Sequence, residues 1–482
     1  MEGKHVNKKI FSGLLWEGST KFLIQIASWF STIVVARLLD PSDYGLVAIS
    51  GVFTGFLILI SELGLAAGLI NKKELDESDK SIIFWLGLLL SIVLYIMLFF
   101  AAPYISSFYK EPMLVDIIRV AGSMLIFSSL KIIPTAILMR ELRFKYTALT
   151  HMLAQAANII TVITLAYKGF GAWSLIYAVL VSQVVQIIAF IPVMGGVPKF
   201  TLSFTKAKDL ILFGATITGS RILGYIENAS ATFIVATFLG STKVGYYNMA
   251  TTIAQMPMDK IGSIFNKVTF PAVSRIKHDK EHASIIFLNL MKYLLIIVIP
   301  IFFSIFIAAE QLILLLLTEK WLPIIGILKL LIVMNVFRLS GMLIPSVLEG
   351  LGLTKVVFRF KLMSAVFIPS SMLIGVNWGL SGVVISLSLA YPVLFMYLLY
   401  VYLSNTALKL SEFIIVIAPP AIGGVVMLLI ALLISEVAND YGDLAKTIIS
   451  LVIALVVYII ILFLFYRKEI SEMKAAFINL RT

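Results

Sequence analysis

Long apolar runs, each parted from the next by a short polar or turn-forming stretch, fill almost the whole chain. Their bounds are roughly 14–38, 44–70, 81–102, 113–138, 147–167, 173–194, 209–238, 244–270, 284–308, 322–348, 356–376, 379–403, 412–435 and 444–466. About 20 helical residues cross a bilayer core of about 30 Å, so each run is long enough to span. Hydrocarbon offers no hydrogen bonds to the backbone, which leaves helices or closed barrels as the only spanning structures. The runs are too long for barrel strands and lack their two-residue alternation. The pattern predicts an all-α integral membrane protein with about fourteen transmembrane helices. Composition agrees, with 60% of the 482 residues hydrophobic and 13% charged. A soluble chain carries about 25% charged residues, so a cytosolic enzyme, a disordered chain and a disulfide-stapled module are excluded. There is no cysteine, and His5, His151, His278 and His282 are too dispersed for a metal cluster. The first apolar run is span-length and lacks a cleavage site, so no signal peptide is expected.

The net charge of +12 is an orientation signal before it is anything else. With the N-terminus inside, the inner loops collect Lys4, Lys8, Lys9, Lys72, Lys73, Arg140, Arg143, Lys145, Arg275, Lys277, Lys355, Arg359 and Arg467, among others. The outer loops hold Lys110, Lys168, Lys243 and Lys320. Both termini are therefore expected in the cytoplasm, with an even number of spans.

The chain also resembles itself. Shifted by 200 positions, Ile33-Val34-Val35-Ala36 lies over Phe233-Ile234-Val235-Ala236, and Gly45 over Gly245. A shift near 210 brings Pro134…Lys145 near Pro345…Lys355, and Gly169-Phe170-Gly171-Ala172 over Gly379-Leu380-Ser381-Gly382. Two copies of six spans have the same orientation, so the repeat is parallel, about an axis along the membrane normal. The expected division is an N-lobe over 1–200, a C-lobe over 201–405, and two further helices with a cytoplasmic tail over 406–482.

Charges inside spans are costly and mark cavities or partners. The first span carries Lys21, Gln25, Ser28 and Thr32; the seventh carries Arg221, Tyr225, Asn228 and Thr232 in the same register. Steps of three and four put each set on one helix face. The eighth span adds Asn248, Thr252, Gln255, Asp259 and Asn266 on one face. Counting from the outer turns levels Arg221 with Asp259, and Lys21 nearly with Glu62, which predicts those two ion pairs. The pairs either neutralise buried charge or serve a cavity whose carboxylates release the cations or carry a coupling ion. Arg338, beside Asn335, is the deepest lone cation. Arg119, Lys131 and Lys329 are further cations within spans, and Glu227 lies off the seventh span's stripe as a proton or cation site. Prolines within the runs, Pro257 beside Asp259 among them, permit bends. No phosphate-binding loop and no catalytic constellation occurs in a loop, and no loop can house an ATPase or a glycosyl-transfer domain. No enzyme, nucleotide or nucleic-acid function is expected.

Trp16-Glu17-Gly18-Ser19, then Ala36-Arg37-Leu38-Leu39-Asp40-Pro41-Ser42-Asp43-Tyr44-Gly45, resembles the opening of the Wzx-type polysaccharide-unit flippases. Leu142-Arg143-Phe144-Lys145 and Gly169-Phe170-Gly171-Ala172-Trp173-Ser174 are similar to their exopolysaccharide and teichuronic-acid exporter branch. That family belongs to the multidrug/oligosaccharidyl-lipid/polysaccharide exporter superfamily. The resemblance implies two six-helix lobes around a central cavity in a bacterial cytoplasmic membrane. The implied cargo is a few sugars on an undecaprenyl pyrophosphate carrier, moved from the inner to the outer leaflet by alternating access. Lys21, Arg221 and Arg338 would then bind pyrophosphate, and Gln25, Tyr225, Asn228, Asn248 and Gln255 would contact the glycan. Glu62, Asp259 and Glu227 would pair charges or couple a proton or sodium ion; no other cofactor is implied. Membrane lipids, a polysaccharide polymerase and assembly proteins are the implied partners. Two alternatives stay open: an ion-coupled multidrug exporter, which would want acids to dominate the cavity, and a non-transporting scaffold docked through the last two spans.

Overall fold

A computed structural model describes residues 23–62, 69, 76–201, 204–276, 279–437 and 442–479. Every expected span meets a helix. These are α1 (Leu23–Leu38), α2 (Pro41–Glu62), α3 (Glu77–Tyr109), α4 (Leu114–Arg140), α5 (Phe144–Tyr167), α6 (Ala172–Met194) and α7 (Phe204–Leu239). They continue as α8 (Ser241–Ser274), α9 (Lys280–Leu316), α10 (Ile324–Gly350), α11 (Thr354–Gly375), α12 (Gly379–Asn405), α13 (Leu410–Val437) and α14 (Asp443–Asn479). Among the described residues there is no strand. Large apolar side chains such as Phe100, Ile415 and Leu464 lie exposed on the helices. Water would not tolerate such a surface, and lipid does.

Breaks follow local chemistry. Pro41 opens α2, where its missing N–H costs nothing, and Asp43 Oδ2 accepts the backbone N–H of Asp40 at 3.0 Å. α4 is interrupted at Ser123 and Lys131, whose backbone N–H groups bond three residues back rather than four. Leu142, at φ 53°, ends α4 as Arg143 N–H reaches back to Leu138 O at 2.9 Å.

The chain forms two compact units, Met1–Asn248 and Met249–Thr482. The sequence repeat divides near residue 200, but compactness divides later because α7 packs along α2. In the first unit, Val35, Leu39, Val162, Ala166 and Ala178 form a core between α1, α5 and α6. In the second, Trp321 is wholly buried, and Phe287 packs between Tyr402 and Phe413, with ring centroids 4.3 and 6.2 Å away. Asn335 Nδ2 donates to Ala254 O at 3.1 Å and ties α10 to α8. On α13, Gly423 lies against the Tyr458 ring and Gly424 against Ile299 and Phe303, so small residues let α13 sit close to both α14 and α9.

The corners that join α1 to α2 and α7 to α8 meet within the first unit. A Cβ added to Gly45 would lie 1.9 Å from Ser241 O, and one added to Gly245 would lie 1.8 Å from Pro41 O. Residue 45 meets 241 and residue 245 meets 41, the reciprocal signature of a two-fold axis. The 200-residue repeat therefore has a physical seam, backbone on backbone, that only glycine permits. Gly45→Ala or Gly245→Ala should cost about 1–3 kcal/mol by forcing those backbones apart. Gly326→Ala, with nothing within 4 Å of the added carbon, should be silent. Melting temperatures in detergent check the contrast.

Candidate functional site

Just beyond the seam, α2 and α7 lie side by side, and Gly55 of α2 leaves room for Tyr225 of α7. The Tyr225 hydroxyl donates towards Gly51 O (3.1 Å) and Val52 O (2.8 Å), and its ring lies 6.0 Å from that of Phe56. One helical turn before Tyr225, Arg221 Nη1 stands 3.8 Å from Glu62 Oε2, at the last residue of α2. The sequence levels Glu62 with Lys21, which lies outside the described residues; among the described residues Glu62 meets the seventh-span cation.

A polar network runs on from Glu62. Ser128 Oγ donates to Glu62 Oε1 at 3.3 Å. One turn on, at the second interruption of α4, Lys131 Nζ donates to Gln186 Oε1 of α6 at 3.1 Å. That contact orients the amide, so its NH2 group faces His151 Nδ1 of α5 at 3.0 Å and leaves Nδ1 to accept. Helices α2, α4, α5, α6 and α7 thus all contribute polar groups to one end of the first unit. The Arg221 and Glu62 side chains are 54% and 39% exposed. A half-exposed pair at 3.8 Å is a weak tie, about 0–1 kcal/mol, so the guanidinium is not committed to Glu62. It can exchange a carboxylate for a stronger bidentate partner such as a phosphate.

The other candidates are distributed as follows. Lys21 and the side chain of Asp259 lie outside the described residues, and with them the expected pairs Lys21–Glu62 and Arg221–Asp259. Gln25 is half-buried on α1, and its neighbour Ser28 accepts a hydrogen bond from Gln155 at 3.1 Å. Asn228 is exposed and donates to Gly224 O of its own helix at 2.7 Å, while Thr232 reaches Asn248 at 3.5 Å. Glu227 is half-buried, and Gln255 likewise. Tyr225 spends its hydroxyl on the α2 backbone, which makes it a packing residue here. Arg338 belongs to the second unit, its guanidinium 5.5 Å from the Tyr391 ring. Arg119 lies 4.3 Å from the Phe99 ring and serves the α3–α4 contact. Sequence reasoning missed Gln186 as the partner of Lys131 and His151 as the partner of Gln186; the signal was a lysine inside a span.

The motif residues prove to touch one another. Asp43 Oδ1 accepts the N–H of Ala172 at 3.0 Å, and a side chain at Gly171, where φ is +54°, would crowd that carboxylate. One carboxylate thus closes the α1–α2 turn and caps α6.

The pattern of a family described as polysaccharide biosynthesis protein matches residues 34–326. A Klebsiella pneumoniae membrane protein of the cps region is 26% identical over 97% of this chain and 98% of its own length. The lipopolysaccharide biosynthesis protein WzxC of Escherichia coli (strain K12) is 26% identical over 78% of this chain and 77% of its own. In three dimensions the chain is similar to the lipid II flippase MurJ in its inward closed conformation. The TM-score is 0.73 at 17% identity, covering 95% of this chain and 100% of that one. The fold is shared with that structure.

Gln186→Leu should leave Lys131 without its acceptor and lower stability by about 1–3 kcal/mol, whereas Ser182→Ala on the same helix should change little. Thermal melts of the two variants in detergent test whether the network holds α4 to α6.

Proposed function

Because this chain belongs to the polysaccharide biosynthesis protein family, we propose that it moves lipid-linked oligosaccharide units across a bacterial cytoplasmic membrane for surface polysaccharide export. The cargo is a short glycan on undecaprenyl pyrophosphate, passed from the inner to the outer leaflet by alternating access. The protein acts as a flippase and catalyses no covalent chemistry. Support comes from the lipopolysaccharide role of the E. coli relative and the lipid II role of the solved flippase.

The observation that carries the reading is Arg221, a half-exposed guanidinium on a membrane helix held, among the described residues, only by a 3.8 Å contact to Glu62. Arg221, with Lys21 one repeat earlier, receives the pyrophosphate. Glu62 neutralises the empty site and is left to Ser128 when the phosphate arrives. The lipid tail stays in the bilayer, because transferring it through a polar path would cost about 0.8 kcal/mol per methylene. Loop charges set the N- and C-termini on the cytoplasmic side and the glycine seam on the outer side. Opening towards the outside then requires the seam to part, which breaks the backbone contact and the hydrogen bond that Ser241 Oγ donates to Glu111 Oε1. Coupling to protons or sodium through Glu62, Asp259 or Glu227, and contact with a polymerase, remain part of the proposal.

Depletion of the protein should accumulate lipid-linked sugar on the cytoplasmic face; unchanged exposure on the outer leaflet overturns the flippase reading. Lys21→Ala with Arg221→Ala should abolish transport while the chain still inserts. Its melting should shift by no more than about 1 kcal/mol of stability, as expected for a half-exposed pair. Full transport by that double variant would remove both cations from the site. Exchanging the charges (Arg221→Glu with Glu62→Arg) should preserve folding without restoring transport.

A further inference from the structure

The helix pair that falls outside the repeat, α13–α14, has no part in the reading above. Both helices pack against α9, which in turn packs on α10. Where α9 ends and α10 begins, these four helices surround a cavity of about 530 Å³. Part of the wall is apolar, with Phe306 and Leu432 among its residues. The rest carries four charges: Glu310 of α9, Lys329 of α10, and Asp443 and Lys446 of α14.

Those charges are poorly satisfied by the protein. Lys446 stands 3.8 Å from Asp443, whose side chain is 83% exposed. Lys329 has the Phe306 ring 5.5 Å from its ammonium. Glu310 forms no ion pair and no hydrogen bond among the described residues. Glu310 and Lys329 therefore line one cavity without closing on each other. At about 1.5 Å per residue they lie about 7–9 Å inside the ends of α9 and α10, and Lys446 lies about 4–5 Å inside the start of α14. That is the depth of a phospholipid head group and its glycerol, at the membrane face that the loop charges mark as outer.

The charge set selects the occupant. A simple anion would face two carboxylates, a simple amine would face two lysines, and a neutral sugar would leave all four charges unmatched. We propose that the cavity holds the head group of an outer-leaflet phospholipid carrying both a phosphate and a primary ammonium. The phosphate lies between Lys329 and Lys446, and the ammonium donates to Glu310 and Asp443. A quaternary amine has no N–H to donate, so it fits less well. Its preferred partner, the aromatic face of Phe306, already has Lys329 beside it. The bound lipid joins α14 to α9 and α10 at the outer surface, which gives the two extra helices a defined anchor. The proposal does not depend on the transport reading.

The purified full-length chain, offered phosphatidylethanolamine, phosphatidylcholine or phosphatidylglycerol in mixed micelles, tests it by native mass spectrometry of retained lipid. Phosphatidylethanolamine should be retained about tenfold over the other two, the scale of one charge-assisted hydrogen bond. Glu310→Gln should erase the preference over phosphatidylcholine, and Lys329→Gln should weaken retention of all three lipids. Equal retention of phosphatidylethanolamine and phosphatidylcholine by the unaltered chain, or a preference for phosphatidylglycerol, overturns the proposal even where a variant fails to insert. Unchanged selectivity in both variants places the lipid elsewhere and also overturns it.

Discussion

Hydrocarbon cannot hydrogen-bond, and that single constraint organises this molecule. It turns every apolar run into a helix, because only a helix satisfies its own backbone within one segment. It also decides what each polar side chain on those helices does. The hydroxyl of Tyr225 goes to two carbonyls of α2, Asn335 goes to a carbonyl of α8, and Lys131 goes to Gln186. In water these groups would be satisfied anywhere; here each fixes a contact between two helices. Polar residues therefore act as the register marks of the bundle, while apolar residues, facing lipid or one another at similar cost, specify it weakly.

Against that background the loosely held groups stand out. Arg221 has a half-exposed partner at 3.8 Å, and Glu310 has none among the described residues. Both are charges on membrane helices whose cost the described residues do not fully offset. Arg221 lies where α7 runs along the end of α2 far from the glycine seam, and Glu310 lies where the extra helices pack on α9.

The motifs that carry the family resemblance turn out to be structural rather than chemical. Asp43, Gly45 and Gly171 build the α1–α2 corner, its contact with Ser241 and the cap of α6. They preserve the geometry of a seam between repeats. The side chains proposed to meet cargo, Lys21 and Arg221, are not among those motif residues, so the motifs say little about which glycan is carried.

Much of the fold was legible in the chain itself. Span-length runs, loop lysines and the 200-residue shift are local or periodic signals, and each is written in consecutive residues. The repeat even anticipated Gly45 over Gly245, though not that the two glycines face each other's corners. Pairings were not legible. Level counting along neighbouring helices put Glu62 beside Lys21, which lies outside the described residues, and gave no sign that α7 lies along α2 and brings Arg221 to Glu62. Helical periodicity placed Tyr225 on a polar stripe facing a cavity, and the close approach permitted by Gly55 turned it into a packing contact. Lys131 was visible as a charge, but its partner lies 55 residues away on another helix. By itself the sequence determined that this is a membrane protein of about fourteen helices with a parallel repeat, since hydropathy and spacing act residue by residue. Which charge meets which, and which charges stay open for a ligand, was decided only by tertiary packing, because a helix face acquires its meaning from the neighbour that covers it.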